Sequence, residues 1–104
     1  MGVITEVEFD DGLWEVKICD VGACHKLYID ARSGEEKRRR KAYPAEIPPA
    51  NAMPLSAIVE SVEARELGII TEVDFDGGFW EVKLRKDGRK SKLAIDPRSG
   101  ETRR

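Results

Sequence analysis

The residues best suited to chemistry in this chain are the two cysteines and the one histidine in the run Cys19-Asp20-Val21-Gly22-Ala23-Cys24-His25. Thiolates and imidazole are soft metal ligands, and a Cys pair followed by His is similar to a covalent haem-attachment signal. That signal separates its cysteines by two residues, whereas Asp20 to Ala23 intervene here. A zinc site built on Cys19, Cys24 and His25 would still want a fourth ligand, and His25 should point to the sheet face opposite Cys24. With Asp20 to Ala23 as a loop, Cys19 and Cys24 face each other across neighbouring strands. In an oxidising compartment they are expected to form a disulfide, and in a reducing one to stay as two thiols.

Carboxylates recur as Glu6, Glu8, Asp10 and Asp11, then as Glu72, Asp74 and Asp76. Oxygen ligands at alternating strand positions share one face and could take a hard cation. Lys17 and Lys26 fall among them and no calcium-loop pattern is present, so a solvated strand face is expected, with no metal and no cofactor assigned. Lys37-Arg38-Arg39-Arg40-Lys41 is a block of five positive charges. It could attract anionic lipid or nucleic acid, but it lacks aromatic stacking partners and reads as a connector beside an acidic module. The single His has no evident nucleophile partner and no Gly-rich phosphate loop follows a strand, so an enzyme is not expected.

The elements that must position these groups come in two copies. Offsetting the chain by 66 residues aligns Gly2–Glu35 with Gly68–Glu101, with 21 identities over 34 positions and no gap. In the first copy Val3, Thr5, Val7 and Phe9 alternate with Ile4, Glu6, Glu8 and Asp10, the period of a half-buried strand. Asp11-Gly12, and Gly77-Gly78 in the second copy, suit a two-residue hairpin turn whose central positions need positive φ. That turn sets Phe9 against Trp14, Val7 against Val16 and Thr5 against Ile18, and a third strand adds Leu27 and Ile29 to the same apolar face. Phe9, Trp14, Phe75 and Trp80 are therefore expected as core anchors. Asp30–Gly34 and Asp96–Gly100 read as closing turns.

Pro44, Pro48 and Pro49 make 37–53 a basic and Pro-rich linker. From Pro54 to Leu67 the period changes, and Leu55, Ile58, Val59 and Val62 fall on one helical stripe ahead of Gly68, a candidate C-cap. Ala57, Ser61 and Ala64 form the small-residue side. The expected organisation is an α+β chain of order β-β-β-α-β-β-β, with antiparallel three-stranded units. A strands-only repeat covers 1–36 and a helix-plus-strands repeat covers 54–104.

The run GVITEVEFDDGLWEVK with LYIDARSGE, repeated as GIITEVDFDGGFWEVK with LAIDPRSGE after PLSAIVESVEAREL, resembles the PepSY family. The resemblance implies a helix packed on an antiparallel sheet, in exported or membrane-anchored bacterial proteins. It also implies a non-catalytic module that binds a protein and restrains a peptidase. Apart from the resemblance, the acidic face or the Cys19 hairpin offers a metal or small-ligand sensor as an alternative, and a structural spacer is a third. The partner surface would comprise Glu8, Asp10, Asp11, Gly12, Asp74, Asp76, Gly77 and Gly78. A periplasmic or secreted location follows from the resemblance alone, because the N-terminal MGVITE has neither the basic segment nor the apolar core of a signal peptide.

At 104 residues with a net charge of -2, the chain lacks the basic excess of a wholesale nucleic-acid binder. No apolar run is long enough to span a membrane. Two modules with one helix leave the first sheet's apolar face to be covered by a shared helix or by a second chain, such as a homodimer partner. Leaving it bare forfeits roughly 1.5–3 kcal/mol per large side chain.

Overall fold

The computed structural model describes residues 2–103. Eight strands and one helix follow in the order β1 (Val3–Asp10), β2 (Leu13–Asp20), β3 (Ala23–Asp30), β4 (Glu36–Ala42), α1 (Leu55–Ala64), β5 (Ile69–Asp76), β6 (Phe79–Lys86), β7 (Arg89–Ile95) and β8 (Thr102–Arg103). All eight strands belong to one antiparallel sheet, ordered β4-β3-β2-β1-β5-β6-β7-β8. The fold is α+β, with each expected three-strand unit intact and the two units joined edge to edge.

Local chemistry sets most of this register. Asp11 and Gly12 have φ of 55° and 80°, and Gly77 and Gly78 have 63° and 85°, the left-handed pair that a two-residue hairpin turn requires. Phe9 accordingly opposes Trp14, and Phe75 opposes Trp80. Beyond Glu6 the ladder departs from simple alternation. A bulge at Thr5 sets Ile4, not Thr5, opposite Ile18, and the same bulge at Thr71 sets Ile70 opposite Leu84. The bulge keeps an apolar residue at the far end of each face and buries Thr5 beside Cys19, 3.9 Å from its sulfur.

The basic block is a strand and not a connector. Glu36–Ala42 pairs along β3, where the Arg38 guanidinium stacks 4.5 Å from the centre of the Tyr28 ring and Arg40 Nε donates to the Tyr28 hydroxyl at 2.8 Å. Those contacts hold Tyr28 below its ordinary pKa, the Arg40 hydrogen bond first. The extended connection is correspondingly shorter, running from Tyr43 to Pro54.

The helix also ends earlier than its period suggested. Arg65 is its C-cap and Glu66 takes the left-handed turn at φ 52°. Gly68, at φ 139°, serves a close approach instead, since a Cβ there would lie 2.7 Å from the Arg85 carbonyl oxygen.

The core is one-sided. Ile58 and Val62 of α1 join Val73, Phe75, Trp80, Val82, Leu84 and Ile95, all from the second repeat. Each ring pair has the same edge-on geometry, with centroids 5.1 Å apart in both repeats. Phe75 is 4% exposed and its counterpart Phe9 is 42% exposed. Phe9 and half-buried Trp14 thus lie outside that core cluster, whose α1 residues pack with the second repeat.

Candidate functional site

The β1–β5 seam is where the repeats meet. Val7 opposes Val73, its own equivalent at the 66-residue offset, so a pseudo-twofold axis runs through that pair. Alternation then places two carboxylate pairs on the face away from α1, Glu6 opposite Asp74 and Glu8 opposite Glu72. Across the strands the pattern reads Lys17-Glu6-Asp74-Glu81 in one row and Glu15-Glu8-Glu72-Lys83 in the next. The axis exchanges these rows.

Asp74 is flanked by acids on both neighbouring strands. Its pKa is pushed up to about 6, first by partial burial and then by Glu6, Glu72, Asp76 and Glu81. Glu8, between Glu15 and Glu72, is also raised, again by burial first and then by Glu72. Lys83 Nζ lies 3.3 Å from Glu72, and Lys26 Nζ lies 3.3 Å from Glu15, so lysines border the acids on both sides. Carboxylate oxygens of Glu6, Glu8 and Glu72 come within 4.8 Å of one another, which gives them the spacing to share a hard cation.

On the other face, a groove of about 690 Å3 runs between α1 and the first repeat. Val7 and Val73 line it at the seam, with Leu55 and Val59 contributed by α1 and Trp14 by β2. Glu63, Glu66 and Lys86 border it. This surface was visible in the sequence only as a helix too few.

The expected partner residues do not form one surface. Glu8 and Asp74 sit at the seam, whereas antiparallel β1 and β5 carry the Asp10–Gly12 and Asp76–Gly78 tips to opposite ends of the sheet. The second tip is already occupied. Glu46 Oε1 and Oε2 accept hydrogen bonds from the Gly77 and Gly78 amides, each at 2.8 Å. A carboxylate thus clamps a pair of outward-facing amides from 31 residues upstream. Sequence reasoning missed Glu46, whose one signal was an acidic residue set among prolines.

Cys19 and Cys24 pair directly across β2 and β3 and are joined by a disulfide. The turn between them is the two-residue Val21-Gly22, shorter than the four-residue loop expected, because Asp20 and Ala23 are themselves paired. His25 pairs with Ile18 on the opposite face, away from the sulfurs. The closing turns are built alike. Asp30 Oδ1 accepts from the Arg32 and Ser33 amides, and Asp96 Oδ1 from those of Arg98 and Ser99. These bonds, the Ser33 and Ser99 ones first, hold both carboxyls below their ordinary pKa.

No helix among the described residues is long and apolar enough to cross a membrane. No curated protein matches the chain significantly. Among solved structures, a crystal structure of a "putative lipoprotein" from Clostridium difficile 630 superposes with a TM-score of 0.61 at 18% identity, covering 99% of this chain and 79% of that one. At that identity the likeness is one of fold. The family model for the peptidase propeptide and YPEB domain matches residues 43–104, which hold α1 and the whole second repeat. This chain belongs to the PepSY family of peptidase propeptide and YPEB domains.

Proposed function

We propose that this chain is a non-catalytic protein-binding module of the bacterial cell envelope, periplasmic or secreted, that restrains or regulates a peptidase. The observation that carries this reading is the partly exposed apolar face of the first repeat, where Ile4 and Phe9 stand 37% and 42% exposed and Val7, Trp14 and Val16 are only half-buried. Apolar side chains left partly exposed on one face of a small protein fit a protein interface. The match to a peptidase-propeptide family supports a peptidase as the class of partner. The Cys19–Cys24 disulfide supports an oxidising compartment, as does the fold shared with a "putative lipoprotein". The test is to incubate the purified chain with secreted metallopeptidases and follow hydrolysis of a small peptide substrate. Stoichiometric loss of rate is expected, while undiminished rate with no complex by size exclusion argues against restraint.

A second reading, a divalent-cation sensor, is favoured by the convergence of Glu6, Glu8 and Glu72. A cation that binds only the folded state must raise the unfolding midpoint. An unmoved midpoint at millimolar calcium, magnesium or manganese removes this reading.

A further inference from the structure

The second repeat already holds a ligand, and that ligand is the chain's own connection and helix. Four contacts fasten it: the Glu46 carboxylate on the Gly77 and Gly78 amides, the Met53 amide donating to the Pro97 carbonyl at 2.7 Å, the α1 stripe on the apolar face, and Arg65 Nη1 donating to Thr102 Oγ1 at 2.7 Å. Every receiving group has a counterpart 66 residues earlier. The Asp11-Gly12 turn has the same left-handed conformation as Gly77-Gly78. Ala31 stands for Pro97, and Glu36 stands for Thr102. Glu36 pairs with Ile29 as Thr102 pairs with Ile95, so the last correspondence holds in register and not only in sequence.

We propose that the first repeat is a receptor for a partner-protein segment built like residues 46–65: a carboxylate, an extended Pro-rich span, then an amphipathic helix with a basic residue near its C-terminal end. The inference rests on the protein-binding reading and names the surface and the chemistry of its partner. Positional equivalence singles out this occupant. The Gly12 amide stands where Gly78 receives Glu46, with the Asp11 carboxylate beside it, and Glu36 offers an acceptor where Thr102 receives Arg65. Glu36 now pairs with Arg39 at 3.0 Å, so an incoming Arg shares that carboxylate. The groove is also continuous with an interface that already exists, since Leu55 and Val59 of α1 line it. By the pseudo-twofold axis the incoming helix lies antiparallel to α1 and packs on both α1 and the sheet.

A blocked synthetic peptide of residues 44–67, which contains no Trp, serves as the probe. It is titrated into the intact chain and followed by Trp emission and by backbone amide chemical shifts. Saturation at one peptide per chain is expected, with a blue-shifted Trp14 signal that a Trp14→Phe variant lacks, and with shifts on β1 to β4. A Glu46→Ala peptide should bind about tenfold more weakly, the loss of charge-assisted hydrogen bonds worth about 1.4 kcal/mol. An Arg65→Glu peptide should weaken by about threefold or more and recover on a Glu36→Arg chain, a swap that leaves the apolar core untouched. Absence of saturation at about 1 mM peptide, shifts confined to the second repeat, or a free chain that sediments as a dimer with β1 to β4 amides already protected would each overturn the proposal. No peptidase enters this titration, so a chain that restrains a peptidase yet ignores the peptide keeps the broader reading and loses this one.

Discussion

The two repeats share 21 of 34 aligned residues and one sheet, yet they live in different surroundings. The second has a helix over its apolar face, a carboxylate on its hairpin tip and a fourth strand of two residues. The first has neither helix nor carboxylate cap among the described residues. It has instead a seven-residue fourth strand and a disulfide. Strand propensity and turn chemistry are the same in both, so what differs is packing. The second repeat is held mainly by packing under α1, whereas edge pairing, a cross-strand disulfide and Arg stacking on Tyr28 hold the first.

The largest difference between the repeats is expected on truncating the equivalent tryptophans. Trp80 is 2% exposed, and its indole N–H has no hydrogen-bond partner among the described residues, so its loss is a matter of packing. Trp80→Ala should cost about 3–5 kcal/mol by urea denaturation, and Trp14→Ala about 1–2 kcal/mol because Trp14 is only half-buried. Equal costs would mean that the first repeat is covered in solution.

The disulfide should come second. Closing a loop this short stabilises by about 2 kcal/mol on the chain-entropy account. A Cys19→Ala/Cys24→Ala variant should lose about that much, read from the urea midpoint, with amide exchange quickening first on β2 and β3. The second repeat holds Arg85 opposite Lys90 at the equivalent place, so the double substitution should leave β6 and β7 unmoved. Uniform loosening of the whole sheet would show that the repeats unfold as one unit.

Glu46→Ala is the next smaller step. It removes two charge-assisted bonds at an exposed turn and should lower stability by about 1 kcal/mol. Exchange at the Gly77 and Gly78 amides should rise toward that of Asp11 and Gly12, the uncapped tip. A tip already as labile as its counterpart would remove Glu46 from the comparison.

What was legible in the residues follows the same division between local and remote causes. Asp11-Gly12 and Gly77-Gly78 specify their turns by themselves, and with the turns come the Phe9–Trp14 and Phe75–Trp80 registers. The aspartates that close each repeat are equally local, because each bonds amides two and three residues on. The β1–β5 seam has no turn to announce it, since the two strands lie dozens of residues apart and meet over only three pairs. Strand β4 has no apolar alternation to betray it; the contacts that hold it come from Tyr28 on a neighbouring strand. The bulges at Thr5 and Thr71 follow from satisfying both ends of a buried face at once, which a strict period of two cannot express. The charged face was visible residue by residue, but its two acid rows appear only once the seam is known.

Those rows supply the smallest and most specific test, because they belong to the joint between the repeats. Asp74 has a folded-state pKa of about 6 against an ordinary value of 3.8. Between those values the folded chain holds a proton that the unfolded chain has released, so stability falls as pH rises through that window and then levels off. Replacing the carboxylate by an uncharged amide removes this penalty. Asp74→Asn should therefore gain on the order of 1 kcal/mol at pH 7, once solvent screening of a partly exposed group is allowed for, and the gain should vanish below about pH 4. Asp30 and Asp96 run the other way. Their lowered values contribute stability that is present at neutral pH and lost as acid protonates the folded carboxylates. Thermal midpoints of the Asp74→Asn chain and its parent, taken from pH 3 to pH 8, separate the two classes. Curves that differ by a constant would mean that the seam carries no titrating strain. Curves that converge in acid would place the titrating penalty at Asp74, where partial burial comes first and the facing Glu6 adds to it.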